Sequence, residues 1–347
     1  MSSETVSRST KTARMRRPLR VALPFAVSAG LLAFLFTRID LGEALQHVTG
    51  EVALRFGLPL LLFNLVTLGL EARSLHRVAA AGHATLPIGT AARIKAACYL
   101  LNVLNHALGA AGLSVLLRRR AGIGLANAAG MVFLISLFDI ASVLGVAVLG
   151  ASFTRVEALE LRVGLVGIAI GAIAAGFAFL RFPAPLGPLE PLRRLEIFRA
   201  PRTAPLGLLL ELAVLRGLFL LTFLLLAAAL FHAFEIEVGP FRLAMNVAIL
   251  IVLSAIPIAA AGLGTGQLAF VALFAGTASE AKLLAASLVL SIGLLATRAL
   301  LGLLFAPEFT REARAGVRAE SAGLGLRAHP EGAPASDHAP SRDLSAR

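Results

Sequence analysis

The sequence predicts an all-α, polytopic helical membrane protein: about six full spans plus two re-entrant hairpins, arranged as an inverted repeat. Three observations predict it. Of 347 residues, 58% are hydrophobic and 15% charged, with a mean hydropathy of +0.84, far from the mix of a soluble domain. Several apolar runs reach the ~20 residues that a helix needs to cross hydrocarbon. The net charge of +12 gathers in short Arg-rich flanks beside those runs, where it sets topology. That placement argues against nucleic-acid binding, which asks for a basic soluble face.

The first span is Leu19 to Thr37. It follows a disordered basic N-terminal tail (1–18) and lacks a small-x-small cleavage site, so it reads as a retained anchor rather than a signal peptide. The remaining full spans are Val52 to Leu70, Ile123 to Gly150, Leu159 to Leu180, Pro205 to Phe231 and Ala281 to Phe305. Two further stretches, Ile88 to Leu117 and Phe241 to Thr277, are broken by small residues at Gly109-Ala110-Ala111-Gly112 and at Pro257 to Gly266. They read as hairpins. Thr277-Ala278-Ser279-Glu280 reads as a capping box at the start of the last span.

Charge tests that reading, because a hairpin returns the chain to the side it entered whereas a crossing inverts everything downstream. With two hairpins, one side holds the N-terminal basic cluster, Arg73, Arg77, Arg93, Lys95, Arg118 to Arg120, the Arg181 to Arg202 group and Arg311, Arg314 and Arg318. The other side keeps only Arg38, Arg55, Arg155, Arg162, Arg242 and Lys282. The positive side faces the cytoplasm, which puts both termini there; a bacterial cytoplasmic (inner) membrane is the expected location. The transmembrane region is then 19–309, with halves 19–150 and 159–305. An odd number of spans per half inverts the second, and Ala110-Ala111-Gly112-Leu113-Ser114 echoes Ala260-Ala261-Gly262-Leu263-Gly264. Residues 310–347 turn polar and rich in Ala, Gly, Pro, Ser and Arg, and read as a disordered tail.

Irregular backbone at membrane depth is tolerated only where it is buried or lines a wet cavity, so the Gly-rich breaks are where chemistry is expected. The returning half-helices would begin at Gly112-Leu113-Ser114 and at Gly264-Thr265-Gly266, with Ser114 and Thr265 as N-caps. Their N–H groups and dipole ends would face an anion such as a lipid phosphate; alternatively the glycines only let helices pack closely. Asn105, His106 and Gln267 flank the tips and either bind a headgroup or satisfy loop carbonyls. Ionisable residues within spans are expensive and mark a partner or a cavity: Asp139, Glu211, Arg216 and Arg298. They pair with one another, with Asp139 and Arg298 as one combination, or Arg216 or Arg298 clamps a headgroup. Glu71 with Arg73 and Lys95 reads as snorkelling at a span end.

Cys98 stands alone as a small packing residue, and no CxxC or Cys/His spacing suggests a metal or cofactor. No nucleophile elbow, HExxH or Walker loop occurs, so no enzyme activity is expected.

Three segments together resemble the lysylphosphatidylglycerol synthase transmembrane-domain family, also called flippase-like domain proteins. They are Asn102 to Arg120, the span carrying Asp139, and Pro257 to Gln267 (PIAAAGLGTGQ) followed by Arg298. The resemblance runs from about Leu19 to about Phe309. This chain departs from the family pattern in lacking a proline between Asn102 and Arg120, in carrying Gln267 in place of a carboxylate, and in having Ser136 where an arginine is usual. The resemblance implies transport of a membrane lipid, whether phospholipid, polyprenyl-linked or hopanoid-type, by a stand-alone member without the soluble aminoacyltransferase domain. An intramembrane enzyme, using Asp139, Glu211 or His106 as acid or base, or a non-catalytic partner of lipid-biosynthesis enzymes, is the alternative.

Overall fold

Among the described residues every regular element is helical, an arrangement that pairs backbone polar groups within each segment and so suits a hydrocarbon environment. The computed structural model describes residues 33, 34, 37, 39–104, 106–153, 159–181, 190–255 and 264–327. The N-terminal tail, most of the first predicted span, Asn105, residues 256–263 and the end of the C-terminal tail lie outside them.

The short α1 (Leu41–Gln46) is capped by Asp40, whose Oδ1 accepts from the N–H groups of Gly42 and Glu43. There follow α2 (Gly50–Ala81), α3 (Ile88–Leu104), α4 (His106–Ala121), α5 (Leu125–Phe153), α6 (Leu159–Arg181), α7 (Glu190–Arg193), a 3-10 turn (Glu196–Phe198) and α8 (Arg199–Thr203). The last four are α9 (Leu206–Ala233), α10 (Pro240–Ala255), α11 (Thr265–Leu273) and α12 (Glu280–Arg327). Among the described residues four helices are long and apolar enough to cross a membrane: Gly50–Ala81, Leu125–Val148, Leu206–Ala233 and Glu280–Phe305. Helix α6 covers the predicted fourth span. Residues 306–347 form a separate unit. Its described part is helical as far as Arg327, across residues whose composition predicts disorder; the Ala, Glu and Arg between 308 and 320 are good helix formers.

At the centre, α2 and α9 lie side by side and antiparallel. Arg55 near the start of α2 meets Glu235 just after α9 at 3.3 Å, while Arg73 and Arg77 near its end meet Glu211 near the start of α9. Helix α5 packs on α2, α4, α9 and α10. Helix α12 reaches α2 through Gly293, where an added Cβ would lie 2.8 Å from Leu60, and α3 through Gly302, 2.6 Å from Leu100. Small residues at such points let membrane helices approach closely. Phe231, Phe270 and Phe274 fill the space between α9 and α11, with centroids 4.6 and 4.9 Å apart for the two pairs that include Phe274.

The stretches predicted as hairpins are two helices each. Helices α3 and α4 pack on one another, as do α10 and α11. The antiparallel course of α10 and α11 shows in hydrogen bonds from Asn246 to the Leu273 carbonyl (2.7 Å) and from Arg242 to that of Ala275 (3.1 Å). In the first stretch the expected break at Gly109 to Gly112 is absent. Those residues lie inside α4, which starts at His106, and Ser114 donates back to the Ala110 carbonyl at 2.9 Å instead of capping a helix. Gly109 and Gly112 face Asn102 and Leu101 of α3, where a Cβ would come within 1.6 and 2.3 Å; they are packing glycines. In the second stretch α11 begins at Thr265 as expected, but its N-cap is Gly264, at φ +90°, a conformation that glycine adopts without strain. Helix α12 is likewise capped by Ser279, which accepts from Lys282 N–H at 3.3 Å, rather than by Thr277.

The two halves share a local design at an offset of 152 residues. Helices α2 and α9 both end in a left-handed non-glycine residue, His83 (φ 59°) and Glu235 (φ 52°). Each end is closed by the same bonds, Ala84 N–H to Ala79 and Ile236 N–H to Phe231, both 2.9 Å. The helix pair that follows starts five residues later, at Ile88 and Pro240, and ends at Ala121 and Leu273. Buried positions match: Leu60 and Leu212, Phe63 and Leu215, Asn64 and Arg216, Leu75 and Ala227, Val78 and Leu230, Ala79 and Phe231.

Candidate functional site

The polar groups that gather inside this bundle come from five helices. Lys95 and Tyr99 are four residues apart on α3 and therefore share a face. Both address Glu71 of α2: the Lys95 ammonium lies 3.0 Å from its carboxylate and the Tyr99 hydroxyl donates to it. The Glu71 and Lys95 side chains are 11% and 16% exposed, so this is an enclosed pair and not a snorkelling one. Arg298 of α12 lies over the Tyr99 ring, 5.4 Å from guanidinium carbon to centroid. Both Arg216 and Arg298 stand close enough to act on the Glu71 charge.

Arg216 of α9 is 3% exposed and bonds Asp139 of α5 at 3.1 Å. Asp139 therefore pairs with Arg216 and not with Arg298. Glu211 and Arg216 do not meet: five residues turn a helix through about 140° beyond a full turn, so Glu211 faces α2 while Arg216 faces α5. Glu211 bridges Arg73 (3.2 Å) and Arg77 (2.5 Å) at the more exposed end of the bundle. The enclosed groups lie deeper. Glu71 is about 15 Å from the end of α2, and Arg216 about 15 Å from the start of α9, on the same side.

Nε of Arg216 and of Arg298 is buried with no hydrogen-bond partner among the described residues. Buried guanidinium N–H groups usually find acceptors, so both mark capacity for an oxygen-bearing ligand. A separate cavity of about 280 Å³ at the Arg-rich end, between α2, α5 and α8, is lined by His83, Asn127, Met131, Arg199 and Thr203 among others.

The remaining predicted site residues fall elsewhere. Gln267 is 1% exposed and fully engaged: its carbonyl accepts from Gly264 N–H (2.6 Å) and its amide donates to Ser291 of α12 (3.1 Å). The Gly264 N–H is thus already taken. Thr265 opens α11, and Gly112 and Ser114 sit in the α3–α4 contact described above. His106 is placed only as the first residue of α4, and Asn105 lies outside the described residues. Sequence reasoning set Glu71 and Lys95 aside as snorkelling at a span end and did not count Tyr99 as a site residue; the signal for them is the Lys95/Tyr99 spacing on one helical face together with a carboxylate closing an apolar run. Comparison with family models, curated proteins and solved structures returned no match.

Proposed function

We infer that this chain is a flippase-like carrier of the bacterial cytoplasmic membrane that binds the anionic or lipid-linked headgroup of a membrane lipid, as a stand-alone relative of the lysylphosphatidylglycerol synthase transmembrane domain. One observation carries the reading: a charge cluster enclosed among apolar helices, in which the Arg298 guanidinium has an aromatic ring as its described partner and no carboxylate. Charge at that depth is costly unless it serves a partner or a pathway. A lipid phosphate supplies the oxygens that the arginines lack.

The inverted repeat supports alternating access. Matching caps and burial at a 152-residue offset fit two copies of one unit, and the antiparallel α2 and α9 fit their opposite orientation in the membrane. Under that relation α3 on α12 corresponds to α10 on α5, and Asn64, bonded to α12 at Thr297 (3.0 Å), corresponds to Arg216, bonded to α5 at Asp139. The two hairpins then re-enter from opposite faces on either side of the cluster, and one repeat rocks against the other around it.

The test is a proteoliposome assay with a headgroup-exposed fluorescent phospholipid quenched from outside by dithionite. Wild-type protein is expected to raise the quenched fraction above half, and Arg298→Gln to slow that phase. A wild-type chain that leaves half the label protected overturns the reading.

A further inference from the structure

The balance of charge inside the cluster specifies the ligand more narrowly than "anionic lipid". Three cations gather there, Lys95, Arg216 and Arg298, against two carboxylates, Glu71 and Asp139. Asp139 belongs to this set although its side chain is 46% exposed, because it stands at the middle of the long apolar α5 and its carboxylate is bonded at 3.1 Å to Arg216, which is 3% exposed. Arg73 and Arg77 stand outside the balance, because both are engaged by Glu211. The geometry distributes the pairs unevenly. Lys95 holds Glu71 and Arg216 holds Asp139, while Arg298 rests on the Tyr99 ring, whose hydroxyl is committed to Glu71. The position of Arg298 is therefore set through Tyr99 by Glu71.

Resting on the carrier reading above, we propose that the site takes a lipid headgroup with a single negative charge, a phosphodiester, which binds Arg298 and is selected over phosphomonoesters and diphosphates by the carboxylate of Glu71. One negative charge brings the set to neutrality. A second would leave an uncompensated anion beside Glu71 and Asp139, which low-dielectric surroundings penalise. The planar guanidinium, steadied by the ring beneath it, matches two phosphate oxygens at once.

Native mass spectrometry of the full chain in detergent, with phosphatidylglycerol, phosphatidic acid and a polyprenyl diphosphate in equal amounts, reads the preference directly. Wild type is expected to retain phosphatidylglycerol above the other two. Arg298→Gln should lose it by about tenfold or more, whereas Arg298→Lys, with the charge but without the fork, keeps the order at weaker binding. Glu71→Gln raises the positive excess by one charge and should move the preference to phosphatidic acid and the diphosphate. Glu71→Gln with Lys95→Met restores the original excess and should return it to phosphatidylglycerol; this double variant also removes the unpaired lysine that could unfold the single one. An unchanged order of preference in Glu71→Gln, or a double variant that stays with the dianions, overturns the proposal. If wild type still moves lipid in proteoliposomes, the carrier reading survives that failure.

Discussion

Replacing Glu71 by Leu tests whether the centre of the bundle is a closed charged site. The substitution strips Lys95, whose side chain is only 16% exposed, of the carboxylate 3.0 Å away, and leaves the Tyr99 hydroxyl without its acceptor. Breaking an enclosed pair by removing one partner costs about 3–5 kcal/mol. At about 2–4 °C per kcal/mol for a chain of this size, the melting temperature should fall by roughly 6–20 °C. The one cysteine supplies the assay: Cys98 is 1% exposed, so a thiol-reactive dye reports the loss of packing on heating. Glu71→Leu combined with Lys95→Met should recover all but the unpaired hydroxyl, about 1–3 kcal/mol, and adding Tyr99→Phe should recover that as well. An ordinary polar contact between membrane helices averages only ~0.6 kcal/mol. A fall of less than about 2 °C in the single variant would therefore refute the enclosed pair.

At the exposed end the expectation reverses: Glu211→Gln should cost under about 1 kcal/mol in the same melt, because the Arg73 and Arg77 side chains are 49% and 40% exposed. Gly130→Ala should cost about 1–3 kcal/mol, since the new Cβ would lie 2.6 Å from the Ile197 carbonyl oxygen and backbone must move; Gly217→Ala, with open space around its Cβ, should be neutral or stabilising by up to about 1 kcal/mol. In a Cys98→Ala background, Arg119→Cys should react with a membrane-impermeant maleimide only after permeabilisation, and labelling on intact cells would show that the α3–α4 stretch crosses rather than returns.

Much of the helical order was legible from sequence because the requirement for a span is local. About 20 apolar residues between charged flanks suffice, and α2, α5, α6, α9 and α12 all cover runs that composition marks out. The start of α11 was legible too: Gly264 adopts φ +90° where the chain enters that helix, and that conformation is written in the residue type. At Gly109 and Gly112 the same residue type was ambiguous. A glycine in an apolar stretch serves a break or a close approach equally well, and only the presence of Asn102 and Leu101 opposite decides for the approach.

What the sequence by itself determined is an all-helical chain of membrane-spanning length, the position of its charged residues along each span, and the start of α11. What only the tertiary structure decided is which of those charges meet. Asp139 finds Arg216 across 77 residues, Glu211 finds Arg77 across 134, and Glu71 is enclosed by Tyr99 and Lys95. The reason is rotational. A residue's partner depends on the face its helix turns toward each neighbour, five residues send Glu211 and Arg216 to different helices, and that orientation is fixed by packing along the whole length of α2, α5 and α9 rather than by any spacing within one of them.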